Sequence, residues 1–308
     1  MGSLAVSVIT TVFNEGASIE AFLDSLVHQT RQADEIVVVD AGSTDGTLER
    51  LEAAAEIDPR IRVIVEPGNR SHGRNTAIEA ASHEIVACTD GGGVADPQWL
   101  ENLVAPFSDG ADWVAGFYRV DAPTALDRCV GLTITYVIEE VNPDFFMPSG
   151  RSMAFTKTAW RAAGGFPEDV EFGEDTLFDQ MMLDADYRPV FAAEATVAWH
   201  PPAGFDGLAR TTFNWGKGDG AAHLRGDYYK RTLAAYAGAA ALAGLLAFTK
   251  PKLLPLAAIP LAKPTWKSIR YKLRLEDSPA KYVYLPAARV TATTSNLAGF
   301  LVGRYFGE

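Results

Sequence analysis

The strongest constraint on the fold lies in residues 5–90, where apolar runs of strand length alternate with segments of helical periodicity. "AVSVITTVF" (5–13) is β-branched and apolar and stops at Asn14-Glu15-Gly16. "SIEAFLDSLVHQ" (18–29) then sets Ile19, Phe22, Leu23, Leu26 and Val27 on one helical face, with Ser18 available as a cap. "DEIVVVDAGSTDGT" (34–47) is a second apolar run that ends on Asp40, and "TLERLEAAAEI" reads as the next helix. "IRVIVEP" (61–67), a helix opening at "GRNTAIEAAS", and "EIVACTD" (84–90) complete the series. Continuous apolar strands with helices between them predict a mostly parallel sheet covered on both faces.

Ligands of such sheets sit at the carboxyl ends of the strands. Asp40 and Asp90 both fall there, and three glycines, 91–93, follow Asp90 directly. A carboxylate beside side-chain-free backbone suits a ligand that approaches closely. Farther on, "ADWVAGFYRV" (111–120) reads as a strand and "RSMAFTKTAWRAAGGF" (151–166) as a strand and short helix. "EDTLFDQMMLDAD" (174–186) reads as a helix and "RPVFAAEATVAWH" (188–200) as a strand running to His200.

These motifs resemble family 2 glycosyltransferases, which have the GT-A fold, an α/β Rossmann-like architecture. "VSVITTVFNEGASIEAFLDSLVHQT…DEIVVVDAGSTDGT" is similar to their nucleotide-binding half, and "TDGGGVADPQWLENLVAPF" to the segment carrying Asp-x-Asp. "AAGGFPEDVEFGEDTLFDQMM" resembles their Gly-Gly-Phe…Glu-Asp acceptor segment. The likeness covers about residues 5–220 and is greatest to membrane-associated members that build surface polysaccharides or lipid-linked glycans. It implies a catalytic domain over 1–227, with a nucleotide-binding half to about 100 and an acceptor half beyond.

The resemblance implies a nucleotide-diphosphate sugar donor and a glycan or polyprenyl-linked acceptor. Main chain near Thr11, Phe13 and Asn14 would line the base pocket, Glu15 would reach the ribose, and Asp40 with Ser43 would hold base or ribose. Asp40 and Ser43 fit a local turn equally well. Arg70 and Arg74 are candidates for the diphosphate or a base edge, and Asp90 with Gly91 for the diphosphate through a divalent cation, Mg²⁺ or Mn²⁺. Gly92 stands where the family usually has its second Asp, which leaves Asp90 as the main metal ligand, with His200 as a further one. His200 reads as readily as a hydrogen-bonded strand end. In the family the second acid of the Glu-Asp pair removes the acceptor proton, which makes Asp175 the base and Glu174 its neighbour; acids at a helix start also need no function. "RTTFNWGKGDG" (210–220) loosely matches a Gln-x-x-Arg-Trp element, giving Trp215 and Lys217 as acceptor contacts. The expected reaction is an inverting, metal-assisted transfer; the alternative is a non-catalytic nucleotide-sugar-binding regulatory module. No Gly-x-Gly-x-x-Gly follows the first strand, which excludes a dinucleotide dehydrogenase.

Charge separates the tail from the body. Residues 228–308 hold 12 Lys+Arg against 3 Asp+Glu, and residues 1–227 hold 15 against 36. So acidic a body argues against nucleic acid as a partner. The tail is basic and apolar, which suits an anionic membrane surface. Its "TLAAYAGAAALAGLLAF" (232–248) has 17 uncharged residues, fewer than the roughly 20 of a bilayer span. The four-proline stretch 251–264 and the basic amphipathic "KPTWKSIRYKLR" follow. The expectation is a C-terminal membrane region over 228–308 at the cytoplasmic face of the cell membrane, peripheral, re-entrant or integral. Cys88 and Cys129 match no disulfide or zinc pattern, and no basic leader precedes Leu4, so a reducing compartment is expected.

Overall fold

The computed structural model describes residues 4–258 and 265–306. The chain forms two units: residues 1–121 with 141–200, and residues 122–140 with 201–308. The break therefore does not fall at 227/228, where composition changes. The reason is a helix pairing inside the second unit, described below.

The first unit is built on one eight-stranded sheet of order β3-β2-β1-β4-β7-β6-β8-β5. Strands β1 (Val6–Val12), β2 (Glu35–Asp40), β3 (Ile61–Val65) and β4 (Ile85–Cys88) are mutually parallel. β7 (Met153–Thr156) runs antiparallel to β4 and to β6 (Trp113–Val120). β8 (Val190–Trp199) lies parallel to β6, and the short β5 (Val94–Ala95) antiparallel to β8.

Period-2 alternation sends each strand's side chains to two cores. Val6, Val8 and Val12, Ile36 and Val38, and Ile85 and Ala87 meet α1 (Ser18–Val27), α2 (Thr47–Ile57) and α4 (Trp99–Val104) through Phe22, Leu26, Leu51, Trp99 and Leu103. Ile9, Val37, Val39, Val86 and Cys88 meet α3 (Arg70–Ala80), α6 (Lys157–Ala163) and α7 (Glu174–Asp184) through Ile78, Trp160, Phe178 and Met182. Because β2 and β4 flank β1 in parallel, their carboxyl ends emerge on the same edge, two strand spacings or about 10 Å apart.

Two local expectations change. Ser18 is the first helical residue of α1 and donates to the Glu15 carbonyl instead of capping. α3 begins three residues before Gly73, because the Asn69 side chain accepts from the His72 N–H and caps it there.

The second unit is helical: α5 (Ala125–Ile134), α8 (Gly204–Ala221), α9 (Gly226–Thr249) and α10 (Lys281–Phe306). Val130, Leu208, Ala288 and Ala292 form its small core. α8 and α10 touch backbone to backbone. A Cβ on Gly216 would lie 2.0 Å from the Asn296 carbonyl oxygen, and one on Gly220 2.3 Å from that of Phe300. Reciprocally, Gly299 meets the Phe213 carbonyl and Gly303 that of Lys217, each at 2.0 Å. Two Gly-x-x-x-Gly pairs thus face one another, so α8 belongs with the C-terminal helix.

α9 is longer than its uncharged run. Its 24 residues have a window of mean hydropathy 1.6 that is only 6% buried, and by length and composition it is a candidate membrane span. The basic stretch after it is not wholly a surface feature: Trp266 is exposed, but Lys272 is buried, bonds the Thr135 carbonyl and faces Glu140 at 3.5 Å. Residues 259–264 of the four-proline stretch lie outside the described residues.

Candidate active site

Arg74 is the centre of the site. It lies on α3 and is 1% exposed, yet it is a cation. Burial without partners would be prohibitive. Its Nη2 donates to Asp90 Oδ1 at 2.5 Å and its Nη1 to Glu174 Oε1 at 3.0 Å. Burial alone would lower its pKa, but Asp90 and the other anions nearby outweigh it and raise it. One guanidinium thus ties the strand-end carboxylate of the expected donor side to the acidic pair of the expected acceptor side.

The sequence permits this because of Gly150. A Cβ there would stand 2.2 Å from Arg74 Nη2 and 2.9 Å from Asp90 Oδ1. The loop that carries it is fixed to the end of β4, where Thr89 Oγ1 donates to the Arg151 carbonyl at 2.9 Å. Asp90 keeps an opening, with 35% of its side chain exposed. Burial pushes its carboxyl up, but Arg74, and after it Arg70 and Arg151, hold it below the ordinary value.

Glu174 and Asp175 open α7 after Gly173, whose φ of 83° is left-handed. Glu174 is buried and receives a second, longer contact from Arg70 at 3.4 Å. Asp175 is partly exposed and unpaired by arginine hydrogen bonds among the described contacts. Desolvation, then the charge of Glu174, raise its carboxyl above the usual carboxylate value, against the pull of Arg74 and Arg151. A raised carboxylate is a stronger base.

The expected donor residues divide. Glu15 lies against the glycine loop: a Cβ on Gly91 would be 3.2 Å from its Oε1, and one on Gly92 2.8 Å from its Oε2. Burial raises the Glu15 carboxyl, with Asp45 and Asp90 adding to the effect. Phe13 is 58% exposed. Thr11 packs beneath α3, where a Cβ on Gly73 would be 2.7 Å from its Cγ2. Asp40 is fully buried and accepts from the Gly42 and Ser43 N–H groups and from Ser43 Oγ, which in turn accepts from the Asn14 N–H. Asn14 itself sits at φ 55° and accepts from the Thr44 N–H. Asp40 and Ser43 thus make a local turn, and Asn14 joins it to the loop after β1. Arg74 pairs with two carboxylates, whereas Arg70 is 53% exposed.

Three residues escaped sequence reasoning. Arg151 stacks over Trp199 at 4.2 Å and Tyr118 at 4.9 Å, and its charge reaches both Asp90 and Asp175. Asp179, one turn beyond Asp175, is 6% exposed with an unpartnered Oδ1. Gly150 carried no motif. The adjacency of Gly150 and Arg151 in "SGRSM", just before a strand, was the available signal for two of them.

His200 Nδ1 bonds the Gly92 carbonyl at 2.9 Å, and its Nε2 stands 3.7 Å from Asp121 Oδ2. Among the described residues no group of three or more His, Cys, Asp or Glu can hold a metal. The half-open Asp90 carboxylate still fits a hard cation that takes its other oxygens from phosphates and water. Trp215 and Lys217 lie on α8 in the second unit, where Lys217 main chain is part of the α8–α10 pairing.

The family model for glycosyl transferase family 2 matches residues 7–128. Glycosyltransferase AglE of Haloferax volcanii is 31% identical over 227 residues, 69% of this chain and 72% of that protein. The chain belongs to glycosyl transferase family 2. An undecaprenyl-phosphate 4-deoxy-4-formamido-L-arabinose transferase of Yersinia pestis is 33% identical over 130 residues, 40% of this chain and 39% of its own. Among solved structures, the mannosyltransferase PcManGT from Pyrobaculum calidifontis, in complex with GDP-Man and Mn²⁺, superposes with a TM-score of 0.59 at 25% identity, covering 95% of this chain and 86% of that one. This family 2 chain accordingly has an α/β GT-A fold and is a glycosyltransferase.

Proposed function

We propose that this glycosyltransferase moves a sugar from a nucleotide-diphosphate donor to a hydroxyl of a glycan or lipid-linked acceptor, in one displacement that inverts the anomeric carbon. The observation that carries the reading is the Arg74 bridge, which joins Asp90 and Glu174 and leaves Asp175 beside them with a raised carboxyl. The donor diphosphate would lie on the glycine loop 91–93, where side chains are absent, with Arg151 and Arg70 supplying positive charge. Asp90, with one oxygen held by Arg74, would share a Mg²⁺ or Mn²⁺ with the diphosphate. That cation, when bound, offsets the negative charge that develops as the sugar–phosphate bond breaks. His200 orients the loop through the Gly92 carbonyl. Mn²⁺ and GDP-Man in the PcManGT structure support this choice of donor class and ion.

Asp175 would take the proton of the acceptor hydroxyl as its oxygen attacks the anomeric carbon. Arg74 holds the Glu174 carboxylate in place through its Nη1, and the charge of Glu174 helps keep Asp175 basic. Membrane association of α9 would bring lipid-linked acceptors to the enzyme; the Yersinia relative, named for undecaprenyl phosphate, supports that acceptor class. Exposure argues the same way, since Leu245 and Phe248 are 61% and 93% exposed in an apolar helix. A thermal-shift panel tests donor class and ion together. One nucleotide sugar should raise the melting temperature only when Mn²⁺ is present, and no shift with any of them would reject the donor assignment.

A further inference from the structure

Between the start of α9 and the end of α10 lies a cavity of about 390 Å³. Its size suits one small-molecule ligand or a headgroup with part of a chain. Tyr229 and Phe300 form its aromatic wall, stacked at 3.8 Å and 10°. The Tyr229 hydroxyl is spent on the buried Asp219 at 2.5 Å, so that wall offers an apolar surface. Lys230 and Arg304 line the cavity as cations, and Leu233, Leu297 and Leu301 line it as hydrocarbon. Lys230 is 81% exposed, and its ion pair among the described residues is a long contact to Asp227 at 3.4 Å. Among the described residues no carboxylate pairs with Arg304.

The order of residues along α9 is that of a membrane interface, and the end of α10 lies beside its start. α9 opens with Asp227-Tyr228-Tyr229-Lys230-Arg231 and carries no charge from 232 to 248. α10 ends with Arg304-Tyr305-Phe306. Tyr, Lys and Arg at the end of an apolar helix mark headgroup depth. Leu233 and Leu301 lie one turn below the cations, and Leu297 lies two turns below Arg304. A soluble anion would leave those leucines uncovered, and a neutral apolar partner would bury two uncompensated cations.

We propose that this cleft binds one anionic membrane lipid, its phosphate between Lys230 and Arg304 and its chain along Leu233, Leu297 and Leu301. The inference rests on the membrane reading of α9, but adds a specific site to it. The test is native mass spectrometry of the full chain in neutral detergent, titrated with phosphatidylglycerol or phosphatidylcholine. One phosphatidylglycerol should be retained per chain, in preference to phosphatidylcholine. Lys230→Gln with Arg304→Gln should weaken it about thirtyfold, given about 1 kcal/mol per cation near a lipid surface. Leu297→Trp, which fills the cavity, should abolish it, whereas Lys250→Gln with Lys252→Gln should not. Equal retention of the two lipids, unchanged binding by the double variant, or displacement by inorganic phosphate would each overturn the proposal. Flotation on pure phosphatidylcholine vesicles reports the membrane reading separately. A chain that floats yet retains no anionic lipid selectively loses only the lipid site; one that floats on no vesicle loses the membrane reading.

Discussion

Arg74 carries an unusual load for one side chain, since it compensates Asp90 and Glu174 at once while excluded from water. Arg74→Met should therefore cost about 3–5 kcal/mol of stability, measured by denaturant unfolding, because it strands buried carboxylates. Arg74→Lys should recover only part, as a lysine cannot fork to two acceptors. Asp179 predicts a pH effect of known sign. Burial, and then the charge of Asp175, lift its carboxyl well above 3.8, so the folded chain keeps a proton the unfolded chain releases. Its contribution to stability is complete below the unfolded value and is lost as pH rises toward the folded one. Asp179→Asn should raise the melting temperature at pH 7 and flatten the decline in stability as pH rises above about 4. An unchanged slope would show that Asp179 finds a partner in solution. At this scale the sequence was legible in residue type but not in commitment. The motifs mark Asp90, Glu174 and Asp175 for a site and Arg74 for a diphosphate, while in the structure the Arg74 guanidinium bonds Asp90 and Glu174. Nothing in a linear sequence shows that Gly150 closes over it from 76 positions away.

Elements were easier to read than their neighbours. The apolar runs of β1, β2 and β4 announced themselves because strands buried on both faces are apolar throughout. The α8–α10 pairing was missed, because glycines four apart on two helices signal an interface only once the helices are known to meet. That pairing predicts a sharp asymmetry between glycines. Gly299→Val should cost about 3 kcal/mol by overpacking, since its side chain would enter the Phe213 carbonyl. Gly244→Ala on α9 meets nothing within 4 Å and should be neutral or stabilising by up to about 1 kcal/mol. Hydrogen exchange across 204–221 and 281–306 would read the first effect as faster exchange in both helices; protection equal to the parent's would argue that the pairing does not form.

For the whole molecule, the acidic body and basic tail were plain in the composition, but the structural division was not, since α8 sides with the C-terminal helix. Removing residues 228–308 would therefore strip α10 from α8 and confuse misfolding with loss of membrane contact. Leu245→Glu with Phe248→Glu is the cleaner test, because both side chains are already exposed. That variant should keep the parent's circular dichroism and nucleotide-sugar binding yet no longer float with vesicles; flotation equal to the parent's would move the membrane contact elsewhere. In the proposed reaction one arginine joins Asp90 to Glu174, and the proposed base Asp175 stands beside that bridge. The most direct measurement is the single-turnover transfer rate of Asp175→Asn at saturating donor, with the donor dissociation constant determined on the same protein. The rate should fall by about 10²–10⁴ while donor affinity stays within about twofold. A rate within a few-fold of the parent enzyme's would contradict the assignment of Asp175 as the base.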